Sequence, residues 1–132
     1  MDRDGIEELF QPFGAVAVKR MFGGHGVYAD GLCFALEIDG EVYLKADAEC
    51  EAEFAAAGSS PFVYQSQGRA TTMSYWRLVA AAYDDGDELR RWAGLGLAAA
   101  RRAAFVKANK ANKAKRAPAL AKRRARAASK RR

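Results

Sequence analysis

Val27-Tyr28-Ala29-Asp30-Gly31-Leu32-Cys33-Phe34-Ala35-Leu36-Glu37-Ile38-Asp39-Gly40-Glu41-Val42-Tyr43-Leu44-Lys45 is the stretch that decides the fold class. Two Asp-Gly pairs divide it into three short apolar runs. Asp-Gly between such runs is the strongest local hairpin signal, because glycine takes the positive φ that a type I′ turn requires. Two such turns in succession imply an antiparallel meander. A parallel nucleotide-binding sheet is excluded, since its strands need crossovers of about a dozen residues or more.

Outward from this stretch the pattern stays mixed. Upstream, Ala15 to Phe22 leans towards strand, with Val16, Val18 and Arg20 on one side, and Gly23, Gly24 and Gly26 punctuate it. Glycines in a strand pattern mark a bend or bulge. Further upstream, Ile6, Leu9, Phe10 and Phe13 fall at the spacing of one buried helical face, with Asp4 as its N-cap and Pro12 and Gly14 at its end. Downstream, Asp47 reads as the cap of a second helix, Cys50, Phe54 and Ala57 as its inner stripe, and Gly58 as its stop. Pro61 to Tyr64 and Ala70 to Trp76 pair around Gln67-Gly68, with Phe62 and Tyr64 on one face and Met73 and Tyr75 on one face. Asp84 to Glu88 opens a long helix whose stripe is Leu89, Trp92, Ala93, Gly96 and Ala100, small enough for close packing. The sum is a two-layer α+β fold: an antiparallel meander sheet with helices mainly on one face, and a basic C-terminal tail. The uncovered face is expected to be solvated or to meet a partner.

Charge divides the chain more sharply than hydropathy does. Of 22 Lys and Arg, 14 lie between Arg101 and Arg132, where there is no acid; the first hundred residues keep 8 bases against all 16 acids, a net of −8. The expected organisation is an α+β domain over residues 1–106 and a disordered Lys/Arg/Ala-rich tail over 107–132. The tail has almost no large apolar residue to offset its ordering entropy, and Pro118 is expected to break any helix through it. No apolar run approaches the ~18–20 residues of a membrane span, and the N-terminus lacks the pattern of a secretory signal, so the expected compartment is the cytoplasm. Cys33 and Cys50 are too far apart in sequence for a paired redox or zinc motif and read as reduced, buried hydrophobes.

Three strings stand out once these elements are placed. Arg20-Met21-Phe22-Gly23-Gly24-His25-Gly26-Val27-Tyr28 is followed by Asp30-Gly31, then Tyr43-Leu44-Lys45-Ala46-Asp47, then Thr72-Met73-Ser74-Tyr75-Trp76. In order and approximate spacing these blocks resemble the TfoX N-terminal domain family, over about residues 4–105. The resemblance implies a two-layer α/β fold and a bacterial, cytosolic, non-enzymatic regulator of transcription, with no cofactor. The family's best-known members govern natural competence and act with the cyclic-AMP receptor protein. Those regulators carry a second, helical C-terminal domain, whose place is taken here by the basic tail.

Candidate chemistry is sparse elsewhere. The glycine string precedes a strand, not a helix, and no Lys-Ser/Thr pair follows, so it is not a phosphate loop. His25 reads as an exposed loop residue, and neither cysteine is spaced to join it on a metal; the expectation is no catalytic residue and no metal. Tyr75 and Trp76 could offer a stacking platform, but alternating strand aromatics more commonly pack a core. The motif residues Arg20, Met21, Phe22, Gly23, Gly24, Gly26, Asp30, Gly31, Lys45, Met73, Ser74, Tyr75 and Trp76 therefore read as structural. Nucleic-acid contact is assigned to Arg101, Arg102, Lys107, Lys110, Lys113, Lys115, Arg116, Lys122, Arg123, Arg124, Arg126, Lys130, Arg131 and Arg132. An unbroken run of bases engages phosphate without reading sequence, so the expected partner is DNA, bound non-specifically. A protein partner such as a transcription regulator is expected at the acidic domain. Membrane is not an expected partner, since the tail lacks an apolar face. The competing reading is a protein-interaction module with no nucleic-acid role.

Overall fold

A computed structural model describes the backbone of residues 1–21 and 23–130, and side chains as far as Asn112. It falls into two compact units, Met1–Arg101 and Arg102–Arg132. In the first, helix α1 (Arg3–Phe10) precedes strands β1 (Ala17–Met21), β2 (Gly24–Ala29), β3 (Leu32–Ile38) and β4 (Glu41–Lys45). Then follow α2 (Glu51–Ala56), strands β5 (Pro61–Ser66) and β6 (Arg69–Arg77), a 3₁₀ turn (Ala80–Tyr83) and α3, which begins at Gly86 and whose helical backbone runs to Lys130. The strands form one antiparallel sheet in the order β1-β2-β3-β4-β6-β5. The α+β class and the meander expected from residues 27–45 are both present.

The hairpins owe their register to three turns of the same kind. Asp30 and Gly31 have φ of 52° and 75°, Asp39 and Gly40 53° and 83°, and Gln67 and Gly68 51° and 76°. Both central residues being left-handed is the type I′ geometry that matches strand twist. The register then lines up Val18, Val27, Ala35, Leu44 and Trp76 as one row across five strands. A bulge opposite the Val27/Tyr28 step leaves Phe34 unpaired, so that Phe34 and Ala35 are both fully buried despite being adjacent.

The helices cover that row. Phe34 meets Phe10 edge-on at 5.5 Å between ring centroids and Phe13 at 5.4 Å. Phe54 of α2 lies 4.7 Å from Trp92 of α3 and 6.3 Å from Trp76. Trp92 is 2 % exposed and donates its indole N–H to Glu88 Oε2 at 3.0 Å, which removes the cost of burying that donor. The small-residue stripe of α3 does what its composition implies. A Cβ on Gly96 would lie 3.3 Å from both Leu44 Cβ and the Phe34 carbonyl oxygen.

Several local expectations need correction. Asp2, not Asp4, caps α1: its carboxylate accepts from Gly5 N–H at 2.8 Å. Asp4 lies in the first turn, where its charge still favours the helix N-terminus. Asp47 accepts from the Glu49 N–H at 3.2 Å ahead of α2, and Cys50 occupies the cap position without a side-chain cap bond. Ala57 is exposed, because α2 ends at Ala56 before a third turn can face inward. The glycine string is neither bend nor bulge throughout. Gly23 is in a turn with φ 78°, whereas Gly24 and Gly26 lie inside β2. At Gly24 a Cβ would fall 2.0 Å from the Glu37 carbonyl oxygen, so close strand approach excludes any side chain there. Finally, the helical backbone of α3 continues past Pro118. Alanine, lysine and arginine are strong helix formers and dominate this stretch.

The two edges of the sheet differ. β1 carries Lys19 and Arg20, and Arg3 reaches over to donate to the Val18 carbonyl at 3.4 Å. β5 reads Pro-Phe-Val-Tyr-Gln-Ser, has no charge, and exposes Val63 and Tyr64. Among the described residues no helix is long and apolar enough to cross a membrane.

Candidate functional site

The sheet face turned away from the helices gathers chemistry from five strands. Opposite Gly26 on β1, Lys19 places its Nζ 4.8 Å from the ring centroid of Tyr28. Tyr28 pairs directly with Cys33, because the two-residue Asp30-Gly31 turn sets these positions opposite each other. From β6, the Tyr75 hydroxyl donates to Cys33 Sγ at 3.8 Å, across β4. Tyr75 is in turn covered by Lys45, whose Nζ is 5.0 Å from its centroid and donates to Ser74 Oγ at 2.8 Å. The result is a continuous line, Lys19, Tyr28, Cys33, Tyr75, Lys45.

Burial pushes the Tyr75 phenol far above its ordinary value, with the neighbouring Cys33 and its hydrogen bond adding to the rise. Tyr28 is raised for the same reasons in the same order. Both hydroxyls thus stay protonated as hydrogen-bond donors throughout the neutral range. Each ammonium lies over an aromatic ring, a contact worth ~0.5–1 kcal/mol at exposed sites. Beside this line the next row holds Gly26, Leu36, Tyr43 and Arg77. Leu36 is half-buried, and Tyr43 packs on Phe62 at 4.8 Å. Met21 folds onto Gly26, where a Cβ would meet its Cε at 2.6 Å.

Acids are scarce on the strands. Of the 16 acids only Glu37 and Glu41 lie on strands, whereas Lys19, Arg20, Lys45, Arg69 and Arg77 all do. Glu37 belongs to the helix side: it is 3 % exposed, with Oε1 at 3.4 Å from His25 Nδ1 and 3.7 Å from the Met1 amino group. That corrects the reading of His25 as a loop residue, since it sits in β2 facing this carboxylate. Glu41 lies on the open face and pairs with Arg77 at 3.9 Å.

The motif residues are thus partly assembled and partly structural. Met21, Gly26, Lys45 and Tyr75, drawn from all three sequence blocks, converge on the open face, and Ser74 accepts from Lys45. Trp76 turns the other way into the core, and Gly23, Gly24, Asp30 and Gly31 shape turns and close approach. Arg20 is exposed on β1 opposite His25, and Met73 is half-buried on β6. Phe22 lies outside the described residues. Lys19, Tyr28 and Cys33 were missed as functional candidates; the Tyr28–Cys33 pairing was readable from the turn, but the reach of Tyr75 to Cys33 was not. Among the tail candidates, Arg101 belongs to the first unit and pairs with Asp30. Arg102 is half-buried, while Lys107 and Lys110 are exposed on α3. The side chains of Lys113, Lys115, Arg116, Lys122, Arg123, Arg124, Arg126 and Lys130, and all of Arg131 and Arg132, lie outside the described residues.

No curated protein matches the chain in a sequence search. The family model of the TfoX N-terminal domain matches residues 8–100, from the last turn of α1 into α3. The match spans every strand and α2, so the chain belongs to the TfoX N-terminal domain family, whose members are regulatory and non-catalytic.

Proposed function

We propose that this TfoX-like regulatory protein works through two surfaces: the acidic domain contacts a protein partner, and the basic segment after Arg101 binds DNA without sequence preference, in the cytoplasm. The observation that carries this reading is the charge split, −8 over the first hundred residues and +14 over the last thirty-two. Phosphate neutralisation by Lys and Arg releases condensed counterions, so affinity falls steeply with salt. An acidic domain does not itself draw in a polyanion, which leaves it to recognise protein.

The test is duplex affinity of the full chain against salt, beside a variant with Lys122, Arg123, Arg124 and Arg126 changed to Gln. Full-chain binding is expected to lose about a thousandfold or more between 50 and 200 mM salt if roughly six or more phosphates are engaged. Each removed base is expected to lower the slope of log affinity against log salt by about 1. Salt-independent binding, or a slope the variant leaves intact, overturns the DNA role and favours an interaction module acting on protein alone.

A further inference from the structure

We propose that the open face of the sheet docks an acidic, amphipathic segment of a protein partner, with Lys19 and Lys45 receiving its carboxylates and Leu36 and Phe62 covering its apolar side. This rests on the reading that the domain contacts a protein, and it names where and with what chemistry.

Charge complementarity selects the occupant. The domain is acidic as a whole, yet this face inverts the sign: Lys19, Lys45 and Arg77 stand on it against Glu41 alone, and Glu41 is engaged by Arg77. Both lysines are held in place, each over a tyrosine ring, with Lys45 further tied to Ser74. An anchored ammonium loses less freedom on meeting a carboxylate than a free one does. Beside the lysines the face is apolar, with Leu36 half-buried on β3 and Phe62 of β5 packed on Tyr43.

Nucleic acid fits this face less well. The ammonium groups occupy ring faces of Tyr28 and Tyr75, which a base needs for stacking. A symmetric second copy is disfavoured too, because it would bring together two faces of the same net positive sign.

The experiment follows backbone amide signals of the isotope-labelled full chain by NMR, titrated with a synthetic amphipathic peptide of Glu, Leu and Ala. The basic tail will also attract such a peptide, so location is the readout. Saturating shifts are expected across 17–21, 24–28, 33–45, 61–63 and 73–77. In a Lys19→Glu/Lys45→Glu variant that keeps its dispersed spectrum, the face component is expected to weaken about tenfold. Shifts confined to residues beyond Arg101, or a face component unchanged in the variant, overturn the proposal. So does a stronger response of the same residues to a single-stranded oligodeoxynucleotide, or to protein concentration alone. A natural partner captured equally by wild type and variant would leave protein contact standing and remove this face. None of these outcomes alters the salt dependence that tests the tail.

Discussion

The two faces of the sheet are built from alternating residues of the same strands yet do opposite things. The helix side carries the buried Val18, Val27, Ala35 and Leu44 and the partly buried Trp76, under aromatic rings. The open side carries Lys19, Tyr28, Cys33, Lys45 and Tyr75, joined by weak polar and cation–π contacts. The tightest packing thus lies on one face and the polar and cation–π contacts on the other. Substitutions on the first should unfold the domain, and those on the second should leave it folded.

The sharpest way to break this contrast is Trp92→Ala. It removes the ring packed on Phe54 and the bond to Glu88, and is expected to cost about 3–5 kcal/mol in chemical denaturation. A loss no larger than that of an open-face truncation such as Leu36→Ala would mean the two faces share the load. Next comes Gly96→Val, which drives a branched side chain into Leu44 and the Phe34 carbonyl; overpacking of this kind costs about 1–3 kcal/mol. The smallest effect belongs to the open face. Tyr75 has its folded pKa raised, so its proton is held in the folded state after the unfolded chain has released it. Stability is therefore fully present below about pH 10 and falls as pH rises above that value. Tyr75→Phe is expected to be nearly neutral at pH 7 and to make the alkaline decline shallower. An unchanged alkaline decline would show that the phenol is not shielded.

What could be read from sequence was local. Asp30-Gly31, Asp39-Gly40 and Gln67-Gly68 announce hairpins through the backbone conformation they permit, and the stripe from Leu89 to Ala100 announces a helix lying close to the sheet. Two kinds of information were not local. The bulge at Phe34 breaks strict alternation, so counting every second residue assigns the wrong face to part of β3. The site depends on β6 lying beside β4, which brings Tyr75 within reach of Cys33, forty-two positions away. No periodicity within either strand encodes that neighbour. Asp2 escaped notice for a smaller reason: Asp2 and Asp4 are both plausible caps, and only geometry decides which reaches the Gly5 amide.

Sheet order also bears on how fast the chain can find this arrangement. Four of the five strand pairings join sequence neighbours across two residues each; only β4 with β6 spans a long interval, bridged by α2 and β5. Hairpins of that kind close in about 1–10 μs, and rates fall as contacts become more distant in sequence. The docking of the β5–β6 arm onto β4 is thus the natural slow event in folding. It is also the step that brings Tyr75 across to Cys33, so the open face is completed last, after the meander that underlies it.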